Sequence, residues 1–194
     1  MTPARQVLID SALELFQHEG LHGVGIERIL TKAMVSKMTL YKYFPSKDDL
    51  TLAALTQHHH AIMAEIAACL ADALPELPQQ LFALSQWYEQ RFGDPTLRGC
   101  LFVTAASDYP KLDHPIHQIA LLHKQTLVNC FADLLRSHGF AQADLLGLQF
   151  ITLFEGARNL RDIGIRPDPF LSVGPTIMVL LAAAMQAQQA AQKP

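Results

Sequence analysis

The stretch Val35-Ser36-Lys37-Met38-Thr39-Leu40-Tyr41-Lys42-Tyr43-Phe44-Pro45-Ser46-Lys47 decides the fold. Ser36 is placed to cap a short helix, which must stop before Pro45 because the proline ring disfavours helical backbone at the residue ahead of it. Ser46-Lys47-Asp48-Asp49 then reads as a capping box, with Asp in place of the commoner Glu or Gln, opening a long helix to about Leu74. Upstream, Ile26, Ile29, Leu30 and Ala33 recur at i, i+3, i+4 and i+7, the apolar face of another short helix. Two short helices, Ile26 to Ala33 and Ser36 to Tyr43, joined by Met34-Val35, the second capped and basic, describe a helix-turn-helix.

Working outward, every readable segment has helical period. Thr2-Pro3 reads as a cap and first helical residue, Gly20 as the stop, and Leu8, Ile9, Ala12, Leu13, Leu15 and Phe16 as one stripe between them. Beyond Pro75 and Pro78, helices are expected from Pro78 to Phe92, ended by Gly93-Asp94-Pro95, and from Leu97 to Ser107. Further helices are expected from Pro115 to Ser137, from Ala141 or Asp144 to Ile163, and from Ser172 or Pro175 to Gln189, with a loop over Gly164 to Pro169. No run alternates as a strand with hairpin signals. The expectation is an all-α chain of about nine helices, a three-helix helix-turn-helix domain over residues 1–47 being joined by a long helix to a helical domain over 48–194.

The 194 residues are 50% apolar and only 17% charged, against about 25% in typical domains, which points to surface buried against a second copy. A net charge of −3 makes no case for nucleic acid. The distribution does: from Arg28 to Lys47 there are five positive side chains and no negative one, an anion-binding surface on an otherwise ordinary body. In helix-turn-helix geometry the start of the second helix enters the major groove. Lys37, Met38 and Thr39 stand there, just after the capping Ser36, which is also a candidate DNA-binding residue: Lys is a donor to guanine, Thr donates or accepts, and Met meets a thymine methyl. Tyr41, Lys42, Tyr43 and Lys47 fall where phosphates run. Cys69, Cys100 and Cys130 are far apart and odd in number, so a reducing, cytoplasmic location is expected. Asp10 and Glu14 interrupt any leader-like apolar run, and Ile177 to Met185 is too short to cross a bilayer and follows Pro175, so no membrane role is expected.

Val7 to Leu55 resembles the DNA-binding domain of the TetR family of bacterial transcriptional regulators. The resemblance rests on Ile9-Asp10-Ser11-Ala12-Leu13-Glu14-Leu15-Phe16, Gly20, Ile26 to Leu30, and the run from Val35 to Lys47. It implies a homodimeric repressor that binds palindromic double-stranded operator DNA and releases it when a small molecule occupies a C-terminal ligand-binding and dimerisation domain. Two positions depart from the family pattern: Gly25 replaces a Thr that caps the second helix, and Met34 replaces the turn glycine. Arg98-Gly99-Cys100-Leu101-Phe102 is similar to a run in the sensor domains of some members. The alternative is a helical small-molecule-binding or interaction protein whose basic helix is only solvated.

In the C-terminal part, Trp87, Tyr88, Phe92, Phe102, Phe131 and Phe154 are the aromatics that could line a pocket, with His123, Asn129 and Arg158 as polar groups. Trp87, Phe102, His123 and Phe131 are the candidate ligand-binding residues, and the low charge there favours an apolar or aromatic effector. His58-His59-His60 point about 100° apart on a helix and cannot share one ion; His114, His117 and His123 are the other spacing considered, and no metal or cofactor is expected. Ser107, Asp108 and His114 are triad residue types without a nucleophile elbow, so no catalytic residues are expected. Leu145, Leu146, Leu148, Phe150, Leu153 and Phe154, then Ile177, Met178, Val179, Leu180, Leu181 and Met185, make the last two helices apolar nearly all round, as in a two-helix face that pairs with its symmetry mate.

Overall fold

A computed structural model describes residues 3–92, 99–166 and 168–191. Among the described residues every regular element is helical; the α-helices are α1 (Pro3–Glu19), α2 (Ile26–Ala33), α3 (Lys37–Tyr43), α4 (Lys47–Asp72), α5 (Leu77–Phe92), α6 (Leu101–Asp108), α7 (Pro115–Ser137), α8 (Ala143–Asp162) and α9 (Val173–Ala191). The all-α architecture with these helices is the one the periodicity indicates. The expected cap at Thr2, the stop at Gly93-Asp94-Pro95, Arg98 and the side chain of Phe92 lie outside the described residues.

Local rules set most boundaries. Gly20, at φ +81°, ends α1 with its N–H bonded to the Phe16 carbonyl at 3.0 Å, a left-handed stop that favours glycine. α4 stops at Asp72, short of the expected Leu74, which Pro75 keeps out of helical backbone. One element was not anticipated: the end of the loop after α8 tightens into a 3-10 turn, Pro169–Ser172, with the Asp168 carboxylate accepting from the Phe170 N–H at 3.1 Å. α9 follows at once, and Pro175 is tolerated in its first turn because those N–H groups have no acceptor within the helix.

Contacts divide the chain into two compact units. One comprises Met1–Ala64 with Thr96–His123, the other Glu65–Pro95 with Lys124–Pro194. These units are interleaved in sequence, because α4 and α7 each supply residues to both. The first buries Leu8, Ile9, Phe16, Ile29, Leu40 and Leu50, the core on which the helix-turn-helix sits. The second is built around aromatic rings: Tyr88 stacks on Phe154 with centroids 4.3 Å apart, and Phe131 meets Phe150 edge-on at 6.0 Å. There α7 and α8 approach closely at Gly147, where a Cβ would stand 2.8 Å from the Val128 carbonyl oxygen and 2.9 Å from the Ala132 nitrogen. The segment Pro169–Ala191 has a mean hydropathy of 1.7 over an 18-residue window and is long enough to cross a membrane by length and composition alone. The nine-residue apolar run read from sequence understates it, because the helix adds flanking residues to that run.

Candidate nucleic-acid interface

α2 and α3 are oriented by what they bury. Ile29, Leu30 and Ala33 of α2 and Leu40 of α3 face the core with Phe44 just beyond, which turns the opposite side of α3 to solvent. Ser36 caps α3: its Oγ accepts from the Thr39 N–H at 3.1 Å and lies 2.9 Å from the Thr39 hydroxyl. Ser46 caps α4 in the same way, accepting from the Asp49 N–H at 3.1 Å while donating its hydroxyl to the Asp49 carboxylate at 2.6 Å. The box is therefore closed through the serine hydroxyl rather than through the Ser46 backbone. Gly25 offers α2 no side-chain cap, and Met34 closes the turn in left-handed backbone, φ 52° and ψ 40°, with its N–H on the Leu30 carbonyl.

The exposed side of α3 carries Ser36, Lys37, Met38, Tyr41 and Lys42, while Thr39 and Tyr43 are half-buried. Met38 is 83% exposed, an apolar side chain held in water. Lys42 Nζ lies 5.7 Å from the Tyr43 ring centroid. Lys47 is turned inward: its Nζ donates to the Leu21 carbonyl at 2.8 Å and sits 6.0 Å from the Phe16 ring centroid. Burial lowers its pKa, against the pull of Asp48 and Asp108. This lysine fastens the start of α4 to the α1–α2 connection.

The acid-free run from Arg28 to Lys47 is less basic once folded. Glu19 comes within 2.9 Å of Arg28, Glu14 within 2.7 Å of Lys32 and Glu27 within 2.9 Å of Lys37. The first two pairs span α1 and α2; the third spans α2 and α3. Linear charge counting misses these acids because each lies outside the run and returns to it through packing.

A second polar cluster was not foreseen. The His22 imidazole meets Asp108 Oδ1 at 3.1 Å, the Tyr109 hydroxyl donates to Asp48 at 2.7 Å, and His114 Nε2 stands 3.7 Å from the same carboxylate. Tyr109 stacks on His114 with centroids 4.6 Å apart. Burial and the Asp48 hydrogen bond push the Tyr109 pKa well above its ordinary value. These contacts tie the end of α6 to the α1–α2 connection and the start of α4. Ser107, Asp108 and His114, the triad residue types, are not brought together: the Ser107 hydroxyl donates to the Val103 carbonyl at 3.0 Å, and the other two serve this cluster.

The four candidate ligand residues fall into two groups. In the first unit Phe102 stacks on His123 at 3.7 Å, His58 stacks on Phe102 at 5.6 Å, and His59 Nδ1 is 3.1 Å from His123 Nδ1. In the second, Phe131 is buried among Tyr88, Phe150 and Phe154, while Trp87 packs edge-on against Tyr88 and donates to Glu65 at 3.2 Å. The spacing of His114, His117 and His123 does not converge either, since His117 faces the Tyr109 carbonyl at 2.8 Å. Among the described residues no three His, Cys, Asp or Glu side chains are arranged to hold a metal ion. Burial raises the thiol pKa of Cys69 and Cys130, which disfavours the reactive thiolate.

The sequence matches the model of the bacterial regulatory proteins, tetR family, over residues 8–54. A crystal structure of a TetR-family transcriptional regulator from Streptomyces coelicolor is 32% identical with a TM-score of 0.80, over 95% of each chain. A putative regulator of the same kind from Streptomyces avermitilis is 28% identical with a TM-score of 0.78, over 94% of this chain and 98% of that one. The uncharacterized HTH-type transcriptional regulator YxaF of Bacillus subtilis is 23% identical over 181 residues, 92% of this chain and 95% of its own. With a capped helix-turn-helix at its N-terminus and a relative of 32% identity along nearly its whole length, the chain belongs to the TetR family of bacterial transcriptional regulators.

Proposed function

We propose that this protein is a cytoplasmic repressor that binds palindromic operator DNA as a homodimer and releases it on binding a small apolar or aromatic molecule. The observation that carries the reading is the exposed side of α3, where Lys37, Met38, Tyr41 and Lys42 stand free of the core that Leu40 anchors. Lys37, Met38 and Thr39 face base edges in this reading, and Ser36, Tyr41, Lys42 and Tyr43 face phosphates, whereas Lys47, expected there from sequence, is taken up by the Leu21 carbonyl. Residues 1–47 read DNA, and 48–194 sense the effector and dimerise.

The dimer reading is supported by α8 and α9. Each buries one side, through Leu146, Phe150, Ile177 and Leu181, and leaves Leu145, Leu148, Met178, Val179 and Met185 in solvent. An apolar face of this kind is a natural subunit contact. The effector reading is supported by the two aromatic groups around Phe102 and His123 and around Phe131. The deciding experiment is selection of duplexes from a randomised library by the full-length protein, followed by footprinting. A palindromic site with half-sites about 34–36 Å apart, or a multiple of that, is expected for a dimer of helix-turn-helix units. Equal binding to selected and random duplexes would refute the reading.

A further inference from the structure

The Lys37–Glu27 pair differs from the other two ion pairs of the head. Lys37 is the first residue of α3 and Glu27 lies in the first turn of α2, and Nζ donates to Oε1 at 2.9 Å. The side chains are 59% and 75% exposed, so the pair rests on the surface and adds little to stability. It sets a carboxylate within one hydrogen bond of a side chain that the α3 reading places at the base edges.

We propose that Glu27 is a specificity-determining residue and that Glu27 and Lys37 read one G·C base pair together. The proposal rests on the reading of α3 as the helix that enters the major groove. In a G·C pair, cytosine offers its N4 amino donor and guanine its O6 and N7 acceptors. The N4 and O6 atoms are themselves joined by a hydrogen bond of about 2.9 Å, an ordinary N–H···O separation. A carboxylate and an ammonium 2.9 Å apart match that edge, donor against acceptor at both places. The match fixes the orientation of the base pair. With the carboxylate over guanine or thymine, acceptors would face acceptors. An A·T pair offers the same donor and acceptor side by side, adenine N6 and thymine O4, but puts its N7 acceptor beside the carboxylate and a methyl beside the ammonium; in the G·C pair N7 falls on the ammonium side, where it is a second acceptor. Wherever random DNA lacks that pair at this position the carboxylate meets an acceptor, and it is repelled by phosphate throughout, so Glu27 also weakens non-specific binding.

The test is library selection with the full-length wild type, Glu27→Ala and Glu27→Gln, followed by affinity measurement on single-base-pair variants of the selected site. The wild type should require one G·C pair in each half-site, its replacement weakening binding roughly 5- to 150-fold. Glu27→Ala should lose that one preference, keep the others and bind random duplex more tightly. Glu27→Gln should shift the preference at that position toward adenine, whose N6 and N7 a glutamine amide pairs with. The Gln variant keeps the side-chain size and helix preference, so it carries the test if the Ala variant folds poorly. Unchanged preference at every position in both variants overturns the proposal and leaves the pair a surface contact. A wild type that selects no sequence over random duplex overturns the α3 reading itself, and this proposal with it.

Discussion

Met34 is the one described non-glycine residue with positive φ, at 52°, and its side chain is 90% exposed. Left-handed backbone costs an L-residue about 1–2 kcal/mol, and a side chain in water returns little packing. Glycine relieves the strain but loses about 0.4–1 kcal/mol to the greater freedom of the unfolded chain. Met34→Gly is therefore expected to stabilise the protein by about 0.5–1 kcal/mol, read as a higher urea midpoint with unchanged slope. A lower midpoint would mean that the methionine side chain is a real contact. Burial dominates at His59, where, with the nearby His60 charge, it holds the imidazole below its ordinary pKa of 6.5. The unfolded chain then takes up the proton more readily than the folded one. The stability this contributes is full above about pH 6.5 and is lost as the pH falls through the lower folded value. The contact with His123 opposes protonation of both rings at once, since two imidazolium rings 3.1 Å apart at Nδ1 leave no acceptor. The urea midpoint should fall as the pH is lowered from about 6.5, and His59→Gln should flatten that fall; equal slopes in both proteins would show that the pair takes up protons without cost.

At the scale of elements, α7 and α8 depend on a glycine that helix periodicity does not reveal. A Cβ at Gly147 would meet backbone atoms of α7, the Val128 oxygen at 2.8 Å and the Ala132 nitrogen at 2.9 Å, and backbone cannot swing aside as a flexible side chain can. Gly147→Ala should cost about 1–3 kcal/mol by overpacking, although alanine is the better helix former. Gly156 on the same helix has open space around its would-be Cβ, so Gly156→Ala should be neutral or stabilising. Urea unfolding of the two variants side by side checks this, and equal midpoints would count against the close packing of α7 on α8. Capping shows the opposite relation to sequence: Ser36 and Ser46 act within four residues of themselves, and both are legible in the chain.

At the scale of the whole molecule, the proposed dimer turns on which apolar residues of α8 and α9 remain outside the protomer. Sequence offers Leu181 and Val179 as equals. In the structure Leu181 is 6% exposed and Val179 68%. Val179→Arg should thus give a folded monomer, with helical circular dichroism retained and the sedimentation coefficient of a single chain. Leu181→Arg should unfold or aggregate, because it forces an unpaired charge into the protomer core. A Val179→Arg protein that sediments like the wild type would place the subunit contact elsewhere.

Sequence by itself determined what rests on neighbours along the chain. The helices follow from apolar period, the turn and caps from Ser36, Pro45 and Ser46, and the exposed residues of α3 from the one phase that buries Leu40. Contacts across long sequence separations were decided only in the tertiary structure. Helix packing brought Glu14, Glu19 and Glu27 onto cations of a run that looked wholly basic, and turned Lys47 toward the Leu21 carbonyl. It also set Asp108 and His114 in a polar cluster rather than beside a nucleophile, and divided Phe102 and His123 from Trp87 and Phe131. The reason is physical: a cap or a period is satisfied within one or two helical turns, whereas a salt bridge or a ring stack depends on which helix faces meet, and that is fixed by burial of the core as a whole.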